Sequence, residues 1–438
     1  MNWFIGRVPA EAVPGDRIVP LHFFENSFLV QGNNMTVSLV FDAVLNPSVL
    51  RSSLESLVKR EGWQRLGGRP RKNIWPPVTR RWEIEWHVPS EFTPGRTAIS
   101  FAHIDHGIRA SQHPAASRIP SPSPIPAIVG GPDALESLAA EIQAQRDKRL
   151  LASDRSVLGL RVNSFTGRTV DAAMARAAFD ALGMQYVVEG WSAMLWGQEY
   201  KISTPVSLES DPFIALATGW GLGYGVDMLL RAKENRMICV PESYWRPQME
   251  KALGELRKEA RSTGEDESKV FLAENDIVTA LILRCVVGQM GMSPDRTVTF
   301  EGDLIPPSVE HPYVDNAFGW ANVLVTAGEV ASNPLSWLAR RVRKAINEQG
   351  TRAQHEAYYE MARTSGAGLP IVIMGDGGMA QVGFSNLANA GLPSYVQEYH
   401  GPAKPADGFF ILGKDGEGNY WTSACKYASF HRLQQNND

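Results

Sequence analysis

Arg176 and Asp180 lie four residues apart, with Gly183 close behind, at the start of a helical apolar pattern. Arginine stays protonated at any working pH, so Arg176 can hold an anion or a developing negative charge but cannot accept a proton. A single arginine is also at home as a surface residue on a loop. Asp180 suits a helix cap or an arginine partner. Two other places offer bases. His103-Ile104-Asp105-His106 could supply a base or a metal pair, but with no third ligand evident it is a thin zinc signature. No metal is expected. His400, in Glu398-Tyr399-His400 ahead of the turn Gly401-Pro402, could serve as an acid or base. Among twelve tryptophans, Trp220 and Trp320 could line an apolar pocket. The glycine-rich run 219–226 precedes no Lys-Ser/Thr pair and reads as a crossover, not a nucleotide loop.

The elements that must position these residues alternate between strand and helix patterns. A turn at Asn33 leads into a strand over Val37 to Val44, and Asn46-Pro47 opens a helix with apolar residues Leu50, Leu54, Leu57 and Val58. A short strand is expected from Trp82 to Val88. The proline-dense stretch 112–132 reads as an exposed connection without regular structure, and 133–149 as helix. The run Asp171 to Ala175 is alanine-rich and favours helix over strand. Asp180 to Gly197 forms a helix whose apolar face includes Trp191 and Leu195, with Trp196 also packed inside.

Residues 203–230 suit a crossover. Beyond it come a strand at Met237 to Val240, a helix around 245–260 and a charged loop from Ser262 to Ser268. A helix over Ile277 to Val287 is capped by Asn275 or Asp276, and Ala321 to Val330 reads as strand. A helix over Ser336 to Asn347 ends at Gly350. Pro370 to Met374 and Gly408 to Leu412 are strands, the latter turning at Gly413-Lys414-Asp415-Gly416.

At 438 residues the chain exceeds one core and predicts two domains, 1–202 and 231–438, joined by 203–230. Its hydrophobic share of 44% and charged share of 21% are those of a globular protein. A net charge of −4 gives no concentrated basic face for nucleic acid or anionic membrane. Three distant cysteines argue against a disulfide framework and fit a reducing compartment. With no signal peptide and no apolar run of about 20 residues, a cytoplasmic protein is expected.

Several segments, in order, resemble the BAHD-type acyltransferases in their fungal branch. They are Asp180 to Gly183, Gly190-Trp191-Ser192, Val240-Pro241, Glu274 to Ala280, Pro312 to Ala317 and Phe384-Ser385-Asn386-Leu387. Together they span about 25–430. The resemblance implies an α/β fold of two similar chloramphenicol-acetyltransferase-like domains, with mixed sheets flanked by helices and a tunnel between them. It implies structural roles for Asp180, Gly183 and Asn386, and a monomer. Family members carry His-x-x-x-Asp and use the histidine to take the acceptor's proton. Here Arg176 stands in its place, and losing a positioned base costs about 10²–10⁴-fold in rate. The family's Asp-Phe-Gly-Trp-Gly element is also missing from 392–401.

Three functions are consistent with this pattern. The first is a specialised-metabolism enzyme repurposed to cyclise or rearrange a polyketide- or terpenoid-like substrate, with no cofactor. The second is an acyl-CoA-dependent O- or N-acyltransferase with a displaced base, for which His103, His106 and His400 are the candidates. The third is a non-catalytic small-molecule binder.

Overall fold

The computed structural model describes residues 12–21, 34–73, 83–131, 135, 137–139, 154–176, 181–205, 233–289, 292–304, 319–364, 380–386, 388, 394–400 and 409–427. The strands of its first half are β1 (Arg17–Pro20), β2 (Asn34–Phe41), β3 (Arg69–Asn73), β4 (Glu83–Val88), β5 (Ser100–Asp105), β6 (Ala127–Gly130), β7 (Gly159–Phe165) and β8 (Arg168–Arg176). Those of the second half are β9 (Lys233–Val240), β10 (Thr297–Leu304), β11 (Gly319–Thr326), β12 (Ala380–Asn386), β13 (Ser394–His400), β14 (Phe409–Lys414) and β15 (Tyr420–Tyr427). The helices are α1 (Pro47–Lys59), α2 (Ala181–Leu195), α3 (Glu242–Thr263), α4 (Glu274–Gln289), α5 (Ala327–Ser332), α6 (Leu335–Gln349) and α7 (Arg352–Thr364).

The strands form a three-stranded sheet, β1-β4-β3, a five-stranded sheet, β13-β2-β8-β7-β5, and a seven-stranded sheet, β11-β10-β12-β14-β15-β9-β6. Both larger sheets mix parallel and antiparallel pairs. Two strands change halves. β6 pairs with β9 in the sheet of the second half, and β13 pairs with β2 in the sheet of the first. Sheet membership therefore crosses any division of the chain near 202–231.

Alternation along β2 sets the layers. Val37 and Leu39 join Leu160 and Val162 in a core with α1 and α2. On α1, Asn46 accepts hydrogen bonds from the amides of Ser48 and Val49, and Leu50, Leu54, Leu57 and Val58 are buried. Trp191 of α2 donates to the Leu50 carbonyl and Ser53 hydroxyl at 3.2 and 2.9 Å, locking the two helices together. The second half repeats the plan, with α3, α4 and α6 on one face of the large sheet. A third cluster joins Val40, Phe165 and Val170 to Met237, Cys239 and Trp421, so the remaining faces of the two sheets meet each other.

Several segments depart from the sequence expectations. Residues 171–175 belong to β8, bonded to β2 on one side and β7 on the other. Pairing with β2 throughout and with β7 up to Met174 satisfies the backbone there and overrides the helical preference of alanine. The proline-dense stretch contains β6, and Ala115, Ala116 and Ile119 in it are buried. Its place at a sheet edge explains how a strand follows so many prolines. Trp196 lies just past the end of α2 and is 77% exposed, because Gly197 turns the chain away at φ 64°. The charged loop begins later than expected, since α3 runs to Thr263 and ends on left-handed Gly264. α4 starts at Glu274, and Asp276, in its first turn, accepts from the Ala273 amide instead of capping from outside. β11 ends at Thr326, where a reciprocal bond pair with Glu329 starts α5. The last hairpin keeps Gly413 and Lys414 in its ladder and turns through Asp415 to Asn419. The strand expected at 370–374, most of the crossover 203–230 and most of the helix 133–149 lie outside the described residues.

His355 on α7 is 2% exposed, and among the described residues neither ring nitrogen has a partner. Burial holds its pKa below the ordinary 6.5. The unfolded chain therefore binds a proton that the folded chain resists. Stability is full above the unfolded pKa and falls as pH drops through it. Replacing His355 by leucine should flatten the dependence of the urea midpoint between about pH 5 and 7.5. An unchanged slope would assign the acid sensitivity elsewhere.

Candidate functional site

β8 ends at Arg176, and register shows what lies beside it. Asn34 is opposite Arg176 in the β2–β8 ladder and opposite His400 in the β13–β2 ladder. Directly opposed residues of antiparallel strands share a face. His400, Asn34 and Arg176 therefore form one row across three strands, with about 9–10 Å between the outer two positions. The next row on that face is Glu398, Thr36, Met174, Gly159 and Ser100. Beyond it come Ser38, Ala172, Arg161 and Ala102, and then Val40, Val170, Asn163 and Ile104.

This is the face turned toward the large sheet. Val40 and Val170, at its far end, pack in the cluster with Met237, Cys239 and Trp421, and β13 lies against β14 and β15. It is also the polar face. Thr36, Ser38, Arg161 and Asn163 are all buried on it, whereas the opposite face supplies Val37, Leu39, Leu160 and Val162 to the helical core. Buried polar groups carry a desolvation cost and are normally paired. Among the described residues, Thr36 Oγ1 has no partner. It is a buried hydroxyl one row from Arg176 and His400, free to bond a bound molecule.

The other candidate residues sit apart from this row. His103 pairs in register with Val162, on the helix-side face of the edge strand β5, and its Nε2 is 3.0 Å from Ser164 Oγ. His106 follows the end of β5, level with Ser164. Seven residues of strand, about 23 Å, separate that level from Arg176. The Asn163 amide donates to the carbonyls of Leu138 and Val170, leaving its Oδ1 to accept from His106 Nε2 at 3.1 Å. The His106 ring stacks on Phe165 at 4.4 Å and meets His113 edge-on at 4.6 Å. His113 Nδ1 accepts from the amides of Ala115 and Ala116 at 3.2 Å. Burial lowers its pKa, and neighbouring His106 adds to the effect. These two histidines brace the connection that leads to β6.

Trp320 stands in the edge strand β11 opposite Asp303, at the far side of the large sheet from β9. Trp220 and Asp180 lie outside the described residues. Gly183 is buried in α2. Asn386, at the end of β12, accepts from the Ala388 amide at 2.9 Å and turns the chain. Among the described residues no group of three His, Cys, Asp or Glu could hold a metal ion, and no helix is long and apolar enough to cross a membrane. Sequence reading missed Asn34 and Thr36, because nothing in local periodicity marks a polar strand residue that pairing will carry to a site.

Arg176 and His400 thus share one row, with Asn34 between them and Thr36 in the next. Comparison with known proteins gives this arrangement a context. No family model matches the chain. The acetyltransferase adrJ of Penicillium roqueforti is 28% identical, over 96% of this chain and 95% of its own. A protein of Penicillium decumbens named transcriptional regulator calD is 27% identical, over 93% and 92%. Among solved structures, F. sporotrichioides TRI101, complexed with coenzyme A and T-2, covers 93% of this chain and 95% of its own. It matches with a TM-score of 0.63 at 15% identity, a likeness that speaks for the fold.

Proposed function

We propose that this chain, whose homologues are fungal acetyltransferases and whose fold is that of the BAHD-type acyltransferases, transfers an acyl group from acyl-CoA to a hydroxyl group of a specialised metabolite. One observation carries the reading. β8 is paired with β2 up to its last residue and with β7 up to Met174, so position 176 ends the strand on the polar face between the sheets, where the resemblance puts the family's histidine. The reaction site is retained in place while its residue type has changed. The thioester carbonyl gathers negative charge when the acceptor attacks, and a fixed cation in a water-poor site stabilises such charge strongly. Arg176 is suited to that task and unsuited to taking the proton. The two halves would admit acyl-CoA and acceptor from opposite mouths of a tunnel, in a cytoplasmic monomer.

A second reading has an observation in its favour. No base stands at position 176, and the relative calD carries a name that is not an acyltransferase's. On that reading the site guides a cyclisation or rearrangement of a polyketide- or terpenoid-like molecule by holding one reactive conformer.

Mass spectrometry separates the two. Purified protein is incubated with metabolite extract of its source organism, with and without acetyl-CoA. The expected result is a product heavier by one acetyl group, formed only with the thioester, with release of free CoA. An isomer or a dehydrated product formed equally without thioester would overturn acyl transfer in favour of the second reading.

A further inference from the structure

We propose that His400 is the general base of this transfer, and that it serves the same substrate as Arg176 across Asn34. The inference rests on the acyl-transfer reading above and names the residue that reading lacks. Its ground is the register that sets His400, Asn34 and Arg176 in one row on the polar face between the sheets. His103 is on the other face, and His106 is at the other end of the sheet. β13 reaches the row from the second half of the chain, so the base and the cation arrive on strands of different halves.

The surroundings of the row suit the task. Glu398 lies two residues back from His400, opposite Thr36, and shares its face. Arg176 stands two strands away in the same row. Thr36, opposite Glu398, is buried, and among the described residues its Oγ1 has no partner. Among the described residues of this sheet, the charged groups on this face near the row are Arg176, Glu398 and, two rows on, Arg161.

The step balances without a further reactant. The acceptor hydroxyl oxygen attacks the thioester carbonyl carbon as its proton passes to the His400 imidazole. The carbonyl oxygen becomes an oxyanion beside the Arg176 cation. Collapse breaks the carbon–sulfur bond, and the imidazolium returns the proton to the leaving sulfur. An ester and free CoA remain.

The experiment uses acetyl-CoA and the extract fraction that the wild-type protein acetylates. Free thiol release is followed against pH for wild type, His400→Gln, and His400→Gln combined with Arg176→His. The wild-type rate should rise with pH through the histidine range, near 6.5. His400→Gln should lose about 10²–10⁴-fold in kcat together with that rise. Arg176→His, which restores the family's base position, should recover at least about tenfold in the His400→Gln background. A purely structural histidine would show neither the lost pH limb nor the rescue. If His400→Gln is within about threefold of wild type, or keeps the pH limb, the base assignment falls while acyl transfer stands. No recovery in the double variant would refute the claim that both positions serve one substrate. Should His400→Gln fold poorly, His400→Asn with its thermal melt takes its place. A wild-type protein that releases no thiol with any fraction overturns the acyl-transfer reading itself.

Discussion

Replacing Arg343 by methionine should destabilise the protein by about 3–5 kcal/mol, the cost of leaving a buried carboxylate without its cation. The carboxylate is Asp276, which is fully buried in the first turn of α4. It receives two hydrogen bonds from the Arg343 guanidinium, at 2.8 and 2.9 Å, and one from the Ala273 amide at 2.7 Å. Burial pushes its pKa upward, and these three donors push it back. Arg343 belongs to α6 and also lies over the Phe271 ring at 5.2 Å, so a single side chain fixes α6 against the start of α4. Solvation and pairing nearly cancel in such pairs, so removing both charges is far milder than removing one. Arg343→Met combined with Asp276→Asn should recover most of the loss. Urea denaturation of the three variants gives the coupling directly. A single variant within about 1 kcal/mol of wild type would show that water reaches Asp276.

Much of the fold was legible because local signals and burial agree. Asn46-Pro47 followed by leucines at four-residue spacing gives a capped amphipathic helix wherever it is placed, and α1 is that helix. The same holds for α2, where Trp191 packs against α1. Signals failed where a distant strand decides. The alanines of β8 favour helix in isolation, and only pairing with β2 and β7 makes them strand. β6 escaped for the same reason, since its partner β9 is more than 100 residues away. The candidate site was half legible. The residue type at Arg176 and the presence of His400 can be read from the chain, but 224 positions separate them in sequence (400 − 176). Only a strand of the second half entering the first sheet puts both beside Asn34. Periodicity carries no information on such a crossing.

The contact that holds the two sheets together leads to the other large effect. Trp421 of β15 is 1% exposed and packs in the cluster that joins Val40 and Val170 of the small sheet to Met237 and Cys239 of the large one. Its indole N–H donates to Asp415 Oδ2 at 2.8 Å. Asp415 also accepts from the amides of Glu417 and Asn419, both at 2.9 Å, and from the Asn419 side chain at 3.0 Å, so the buried carboxylate organises the whole β14–β15 turn. Trp421→Ala removes the largest side chain of that cluster and should cost about 3–5 kcal/mol. Trp421→Phe keeps most of the packing and loses one donor of four, so it should cost only about 1–2 kcal/mol. Urea midpoints of the two variants separate packing from hydrogen bonding, and equal losses would assign the whole effect to the Asp415 bond. The consequence for function follows from where the cluster sits. The face bearing the His400–Asn34–Arg176 row abuts the large sheet through it, and β13 itself lies against β14 and β15. A void there frees the second half to shift against the first, and with it the strand that carries His400. Catalytic groups lose effect over displacements of about 1 Å. Trp421→Ala should therefore lower kcat even under conditions where it remains folded, whereas Trp421→Phe should keep it.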